Sequence, residues 1–240
     1  MQNVTVMDIP FVNITKQDLL QEHIYPRLEQ KKKTFVVTAN PEIVMKTRED
    51  AAFKKIVQEA DYTVPDGIGI IIAAKWMKTP LQERIAGYDL SLDLLNYANT
   101  HQLSCYFLGA SEEINQKAVE KVKKDYPNIE IAGNHHGFFE LEDYDFAKSV
   151  ADTQPDIIFV AAGFPKQEKW IAAYKHLFDH GLFIGVGGTF DALAGTVKRA
   201  PAFWIKLNLE WFYRLSQQPR TRFKRTLKLF EFMFRVMFNR

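Results

Sequence analysis

Six short runs rich in β-branched and aromatic residues recur along this chain, and a stretch of helical length follows nearly every one. The runs are KTFVVTA (33–39), DYTV (61–64), LSCYFLG (103–109), IEIAG (129–133), DIIFVAAG (156–163) and LFIGVGG (182–188). Helical patterns fall near 15–31, 41–60, 67–78, 88–101, 111–125, 143–153 and 165–179, with Thr15, Ser111 and Asp143 as N-caps. Strands spaced by helices of this length predict an α/β fold, a mostly parallel, Rossmann-like sheet with helices on both faces. Nearly unbroken apolar strands such as DIIFVAAG fit burial on both sides. The opening segment, in which polar residues interrupt Val4, Val6 and Ile9, reads as an edge hairpin or strand.

In such sheets ligands bind beyond the carboxyl ends of the strands. That rule singles out Thr38 and Asn40 after the first run, Asp66 after the second, Gly109 and Ser111 after the third, Gly163 and Gln167 after the fifth, and Gly187, Gly188 and Asp191 after the sixth. GVGGTFDALAG (185–195) allows close backbone approach to a ligand, with tight helix–strand packing as the plainer explanation. It is not a dinucleotide fingerprint, because Phe190 stands where the third glycine belongs, and no Gly-Lys-Ser/Thr follows to make a phosphate loop. Gln167 is suited to reading a base or sugar, or is a solvated helix residue. Arg84 offers a planar fork for a diphosphate, or pairs with Glu83 or Asp89. Asp66, between Pro65 and Gly67, is either a turn former or a general base at a cleft mouth.

Metal sites look poor. Asp143 and Asp145 open a helical pattern, where acids favour the dipole end, and His135 and His136 lack the spacing of a helical metal pair. The single cysteine, Cys105, rules out an internal disulfide framework and reads as a buried small hydrophobe.

Charge divides the chain. Residues 196–240 hold 11 Lys/Arg against two acids, a net +9; the first 195 carry 20 basic against 27 acidic groups, a net −7. This predicts an acidic α/β body over 1–195 and a cationic helical appendage over 196–240 that meets something anionic. On a helix, Phe223, Leu227, Phe230, Phe234 and Met237 share one face, with Lys224, Lys228 and Arg235 beside it. That layout suits the interface of an anionic membrane, or a helix docked on the body or a partner. The aromatics form a greasy stripe instead of alternating with polar base readers, so no nucleic-acid partner is expected. With no secretory layout at the N-terminus and no apolar run of the roughly 18 residues a span needs, the expected location is cytoplasmic, peripheral to the inner face of the cell membrane.

Together the segments TANPEIV, ADYTVPDGIGI, ERIAGYDL, FLGA, GFPKQEKWI, GVGGTFDALAGTVKRAP and LEWFYRLSQQPRTRFKR make a chain that resembles the WecG/TagA/CpsF glycosyltransferase family (glycosyltransferase family 26), in the family's order from about Met7 to Arg225. The resemblance implies an inverting, metal-independent transferase that uses no cofactor. It would move N-acetylmannosamine from a UDP donor to a polyprenyl-diphosphate-linked N-acetylglucosamine on the cytoplasmic membrane. The TagA/TarA branch builds the linkage unit of wall teichoic acid in this way. The catalytic aspartate would be Asp66. Thr38, Asn40, Arg84 and Gln167 would lie in the pocket, and the appendage would bring arginines towards it, with Arg214, Arg220 and Arg222 meeting the lipid diphosphate. Gly109, Gly163, Gly187, Gly188 and Asp191 would line the nucleotide side. A different donor, such as the mannosaminuronate sugar or another hexose, stays open, as does a homo-oligomer. Two other classes compete: a nicotinamide-dependent oxidoreductase, suggested only by glycine-rich strand ends, and a non-enzymatic membrane adaptor.

Overall fold

The computed structural model describes residues 2–197, 200–201, 203–204, 207, 209–217 and 219–238; the side chains of 214, 219–222, 224 and 225 also lie outside that description. The chain opens on a hairpin, β1 (Asn3–Val6) and β2 (Ile9–Val12), turned by Met7 and Asp8 at φ 48° and 68°. Paired left-handed residues suit the twist of a two-residue hairpin loop. Next, α1 (Lys16–Asp18) runs through a π segment (Leu19–Ile24) into α2 (Tyr25–Glu29).

Strands and helices then alternate. They are β3 (Thr34–Ala39), α3 (Pro41–Glu49), α4 (Ala51–Gln58), β4 (Tyr62–Pro65), α5 (Ile68–Trp76), α6 (Gly87–His101), β5 (Ser104–Gly109), α7 (Glu112–Asp125), β6 (Glu130–His135), α8 (Tyr144–Asp152), β7 (Ile157–Ala161), α9 (Lys166–Tyr174), β8 (Leu182–Gly185) and α10 (Thr189–Leu193). Two further helices follow, Glu210–Gln217 and Pro219–Met237. β3 to β8 form one parallel sheet in the order β4-β3-β8-β7-β5-β6. Strand alternation sends Phe35, Val37, Ile158, Val160 and Phe183 into a core closed by α3, α4, α5, α8 and α9. Val36, Val64, Phe107, Phe159 and Ile184 point to the other face, closed by the 16–29 segment, α6, α7 and α10.

The expected N-caps hold: Thr15, Ser111 and Asp143 accept the backbone N–H groups of Asp18, Ile114 and Phe146. The single helix expected over 41–60 is two. Asp50 leaves helical geometry at φ −134° and its carboxylate accepts the N–H of Phe53 (2.9 Å), starting α4. A short carboxylate competes for backbone donors in this way, and the apolar period runs through the break and hides it. Cys105 is buried between strand and helix, and burial pushes its thiol up, well away from reactivity.

The Pro219–Met237 helix has two apolar sides. Phe232 is fully buried in the body's core, with Met233 and Val236 packed beside it, and Leu229 meets α5 at Gly69. Phe223, Leu227, Phe230, Phe234 and Met237, the stripe marked out in the sequence, are each more than half exposed. The helix is therefore docked on one side and bare on the other. Among the described residues no helix is long and apolar enough to cross a membrane.

Candidate active site

Parallel strands bring six carboxyl ends to one rim, and backbone bonds tie the loops there together. Asp66 donates its N–H to Ala39 O (3.0 Å), Val186 to Val160 O (2.9 Å), Ala110 to Ala161 O (3.0 Å) and Gly137 to Ala110 O (2.7 Å). Every strand-end residue singled out in the sequence falls on this rim because the strands all run one way.

Asp66 follows β4 directly. Its Oδ1 accepts the N–H of Gly87, the first residue of α6 (3.0 Å), which anchors that oxygen. Gly87 is tight against Thr38: a Cβ there would stand 3.2 Å from the threonine side chain. Thr38 is itself buried and donates its hydroxyl to Gly185 O (2.8 Å), clasping β3 to β8. Asn40 caps α3, its Oδ1 accepting from the N–H groups of Glu42 and Ile43 (2.9 and 3.1 Å), so only its amide nitrogen is left to meet a ligand. The Arg84 guanidinium reaches Glu210 (3.4 Å), joining the rim to the Glu210–Gln217 helix.

Gln167 is buried, not solvated. Its Oε1 accepts the N–H of Gly187 (3.1 Å) and its Nε2 donates to Glu168 (2.7 Å). The glycines divide by role. Gly187 (φ 49°) and Gly163 (φ 78°) take left-handed conformations beside open space, as a ligand-facing turn requires. Gly109 is crowded: a Cβ would lie 2.3 Å from Ala161 C, so its glycine serves strand packing. Gly188 precedes α10, in whose first turn Asp191 lies half-buried and makes no side-chain hydrogen bond among the described residues.

The structure thus joins Asp66, Gly87, Thr38, Gly185, Gln167 and Gly187 in one line of contacts across the rim. Gly109, Gly163 and Asp191 border the rim outside that line. The side chains of Arg214, Arg220 and Arg222 lie outside the described residues. Of the other appendage cations, Lys228 stands 3.8 Å from Glu49 and Arg235 2.9 Å from Glu231. Among the described residues no group of three or more His, Cys, Asp or Glu is placed to hold a metal ion.

Three residues were missed in the sequence. Glu210 shares no segment with Arg84, so nothing local announces the pair. Lys166 donates to Gly137 O (3.0 Å) and to Phe139 O while resting on the Phe139 ring, which fastens the loop after β6. Glu168 is buried, and burial pushes its carboxyl up to about 7. A run of Lys-Gln-Glu at a helix start reads as surface, and that hid both.

Comparison with known proteins adds sequence evidence. The model described as the glycosyl transferase WecG/TagA/CpsF family matches residues 4–240. The chain is 38% identical over 237 residues to the N-acetylglucosaminyldiphosphoundecaprenol N-acetyl-beta-D-mannosaminyltransferase of Bacillus spizizenii (strain ATCC 23059 / NRRL B-14472 / W23), covering 99% of this chain and 91% of that protein. It is 39% identical over 240 residues to the protein of the same name from Bacillus subtilis (strain 168), with 99% and 92% covered. The Staphylococcus aureus (strain MRSA252) protein of that name is 37% identical over 212 residues, with 88% and 83% covered.

Proposed function

The chain belongs to the WecG/TagA/CpsF family of glycosyl transferases, and from that premise we propose that it transfers N-acetylmannosamine from UDP-N-acetylmannosamine to undecaprenyl-diphosphate-linked N-acetylglucosamine, with inversion and without a metal. The relatives' names supply the acceptor and the transferred sugar. The product would be the linkage unit of wall teichoic acid.

Inverting transfer is one displacement at the anomeric carbon. The acceptor hydroxyl attacks opposite the leaving diphosphate and its proton passes to Asp66, a general base at the mouth of the cleft. The observation that carries this role is the Gly87 N–H held against one Asp66 oxygen, which sets the carboxylate at the end of β4. UDP departs with growing negative charge, which fixed donors stabilise. The start of α7 is ill suited to that work, since Ser111 already caps it and Glu112 and Glu113 occupy its first turn. The charge falls instead to Gly188, to Arg84, and to Arg214, Arg220 and Arg222 of the 196–240 appendage. Asn40 orients a sugar hydroxyl through its amide nitrogen, Thr38 shapes the floor beneath it, and Asp191 receives the ribose or uracil. Gly109 and Gly163 shape the neighbouring loops.

The appendage would rest on an anionic leaflet. Its bare aromatic stripe enters the acyl boundary, and Lys228 and Arg235 exchange their surface carboxylate partners for headgroups, since such exposed pairs are worth at most about 1 kcal/mol. On this reading the protein works at the cytoplasmic face of the membrane, where the lipid acceptor would be presented.

The test is a reconstituted assay with UDP-N-acetylmannosamine and lipid-diphosphate N-acetylglucosamine, following UDP release and the disaccharide lipid. Product from this donor, and none from the mannosaminuronate or another hexose donor, supports the reading. Product only from another donor transfers the assignment within the family.

A further inference from the structure

A carboxyl that is 1% exposed at the start of α9 calls for an explanation, because an apolar residue would be buried there at lower cost. Glu168 Oε1 accepts from Gln167 Nε2 (2.7 Å), while Oε2 finds no hydrogen-bond partner among the described residues. Gln167 in turn takes the Gly187 N–H at its Oε1 (3.1 Å). The two bonds allow the Gln167 amide one orientation. Turned over, its NH2 would face the Gly187 N–H, donor against donor, and its carbonyl would face the Glu168 oxygen. Gly185 makes room for this arrangement, since a Cβ there would lie 2.6 Å from Gln167 Nε2 and 3.1 Å from Glu168 Oε1. The far end of the relay is Gly187, in a left-handed conformation with nothing within 4 Å of where a Cβ would stand.

We propose that Glu168 is a positioning residue for nucleotide binding. It fixes the Gln167 amide, and Gln167 holds the Gly187–Gly188 turn in the shape that meets the donor's nucleotide. Glu168 itself touches no substrate. The raised carboxyl is consistent with this, because a protonated Glu168 accepts the Gln167 N–H without burying a charge. The nucleotide half of the proposal rests on the reading of this rim as a UDP-sugar site; the relay itself does not.

Two full-length variants test it. Glu168→Met keeps the volume, removes the unpartnered oxygen and should fold with a Tm at or above the wild type, but it leaves Gln167 Nε2 without an acceptor. Glu168→Gln keeps an acceptor oxygen. Hydrogen exchange of the free protein across 185–190 reads the turn directly. Calorimetric titration with UDP and steady-state kinetics read its use. Glu168→Met should exchange about tenfold faster there, bind UDP about tenfold more weakly and raise the donor KM alike, with kcat within about twofold. Glu168→Gln should match the wild type in all of these. Unchanged exchange in Glu168→Met overturns the relay. Faster exchange with unchanged UDP affinity overturns the role in binding. A wild type that takes up no UDP overturns the donor reading and the nucleotide half with it, while the exchange data still decide whether Glu168 positions the turn.

Discussion

Replacing Glu168 with glutamine should convert a pH-dependent stability into a flat one. The carboxyl titrates at about 7 in the folded chain against an ordinary 4.5, because it is desolvated and its only opposing help comes from Gln167 and its own backbone. The folded state therefore holds this proton more tightly than the unfolded state. Stability is full below pH 4.5, falls as pH rises towards 7, and stays low above it. The difference corresponds to about 3 kcal/mol. For a domain of this size that is roughly 6–12 °C in Tm. Glutamine is neutral at every pH, so at pH 8.5 Glu168→Gln should melt several degrees above the wild type. Near pH 4.5 the two should coincide. Scanning calorimetry of both proteins from pH 4.5 to 8.5 makes the comparison, and pH effects elsewhere cancel in the difference. A gap that does not change with pH refutes the assignment of a buried, proton-holding carboxyl.

Other outcomes follow from the same geometry. Asp66→Asn keeps an acceptor for the Gly87 N–H, so UDP affinity and Tm should hold while single-turnover rate falls about 10²–10⁴-fold; retained turnover removes the base. Phe232→Ala, at a fully buried position of the terminal helix, should lower unfolding free energy by about 3–5 kcal/mol in urea titrations. Phe230→Ser with Phe234→Ser, both on the bare side, should leave Tm nearly unchanged and abolish co-sedimentation with anionic vesicles. Chelation with EDTA should leave product formation within about twofold of the untreated enzyme; loss restored by a divalent ion contradicts metal independence.

The architecture was readable because buried parallel strands leave little choice of residue. DIIFVAAG and KTFVVTA are apolar on both faces, and few other structures tolerate that. Strand ends were readable for the same reason, and with them Asp66, Thr38, Asn40 and Gln167 as rim residues. What those side chains do there was less visible. Thr38 and Gln167 look like ligand readers in a string of letters, but in the fold their polar atoms are engaged by Gly185, Glu168 and Gly187, partners that chain order does not disclose. Arg84 and Glu210 are 126 positions apart, beyond the reach of any local pattern. The two-sided character of the terminal helix escaped because Leu229, Phe232 and Met233 interleave with Phe230 and Phe234. A hydrophobic run that surrounds a helix does not say which flank is covered.

β8 lies between β3 and β7, although it is the last strand to be synthesised. Until Leu182–Gly185 leaves the ribosome, β3–β4 and β5–β6–β7 are two half-sheets, each with an unsatisfied apolar margin. Such open margins pair with other chains. β8 therefore acts as a keystone, since without it the β3 and β7 margins stay open. A chain cut short before Leu182 should aggregate instead of forming a smaller working body.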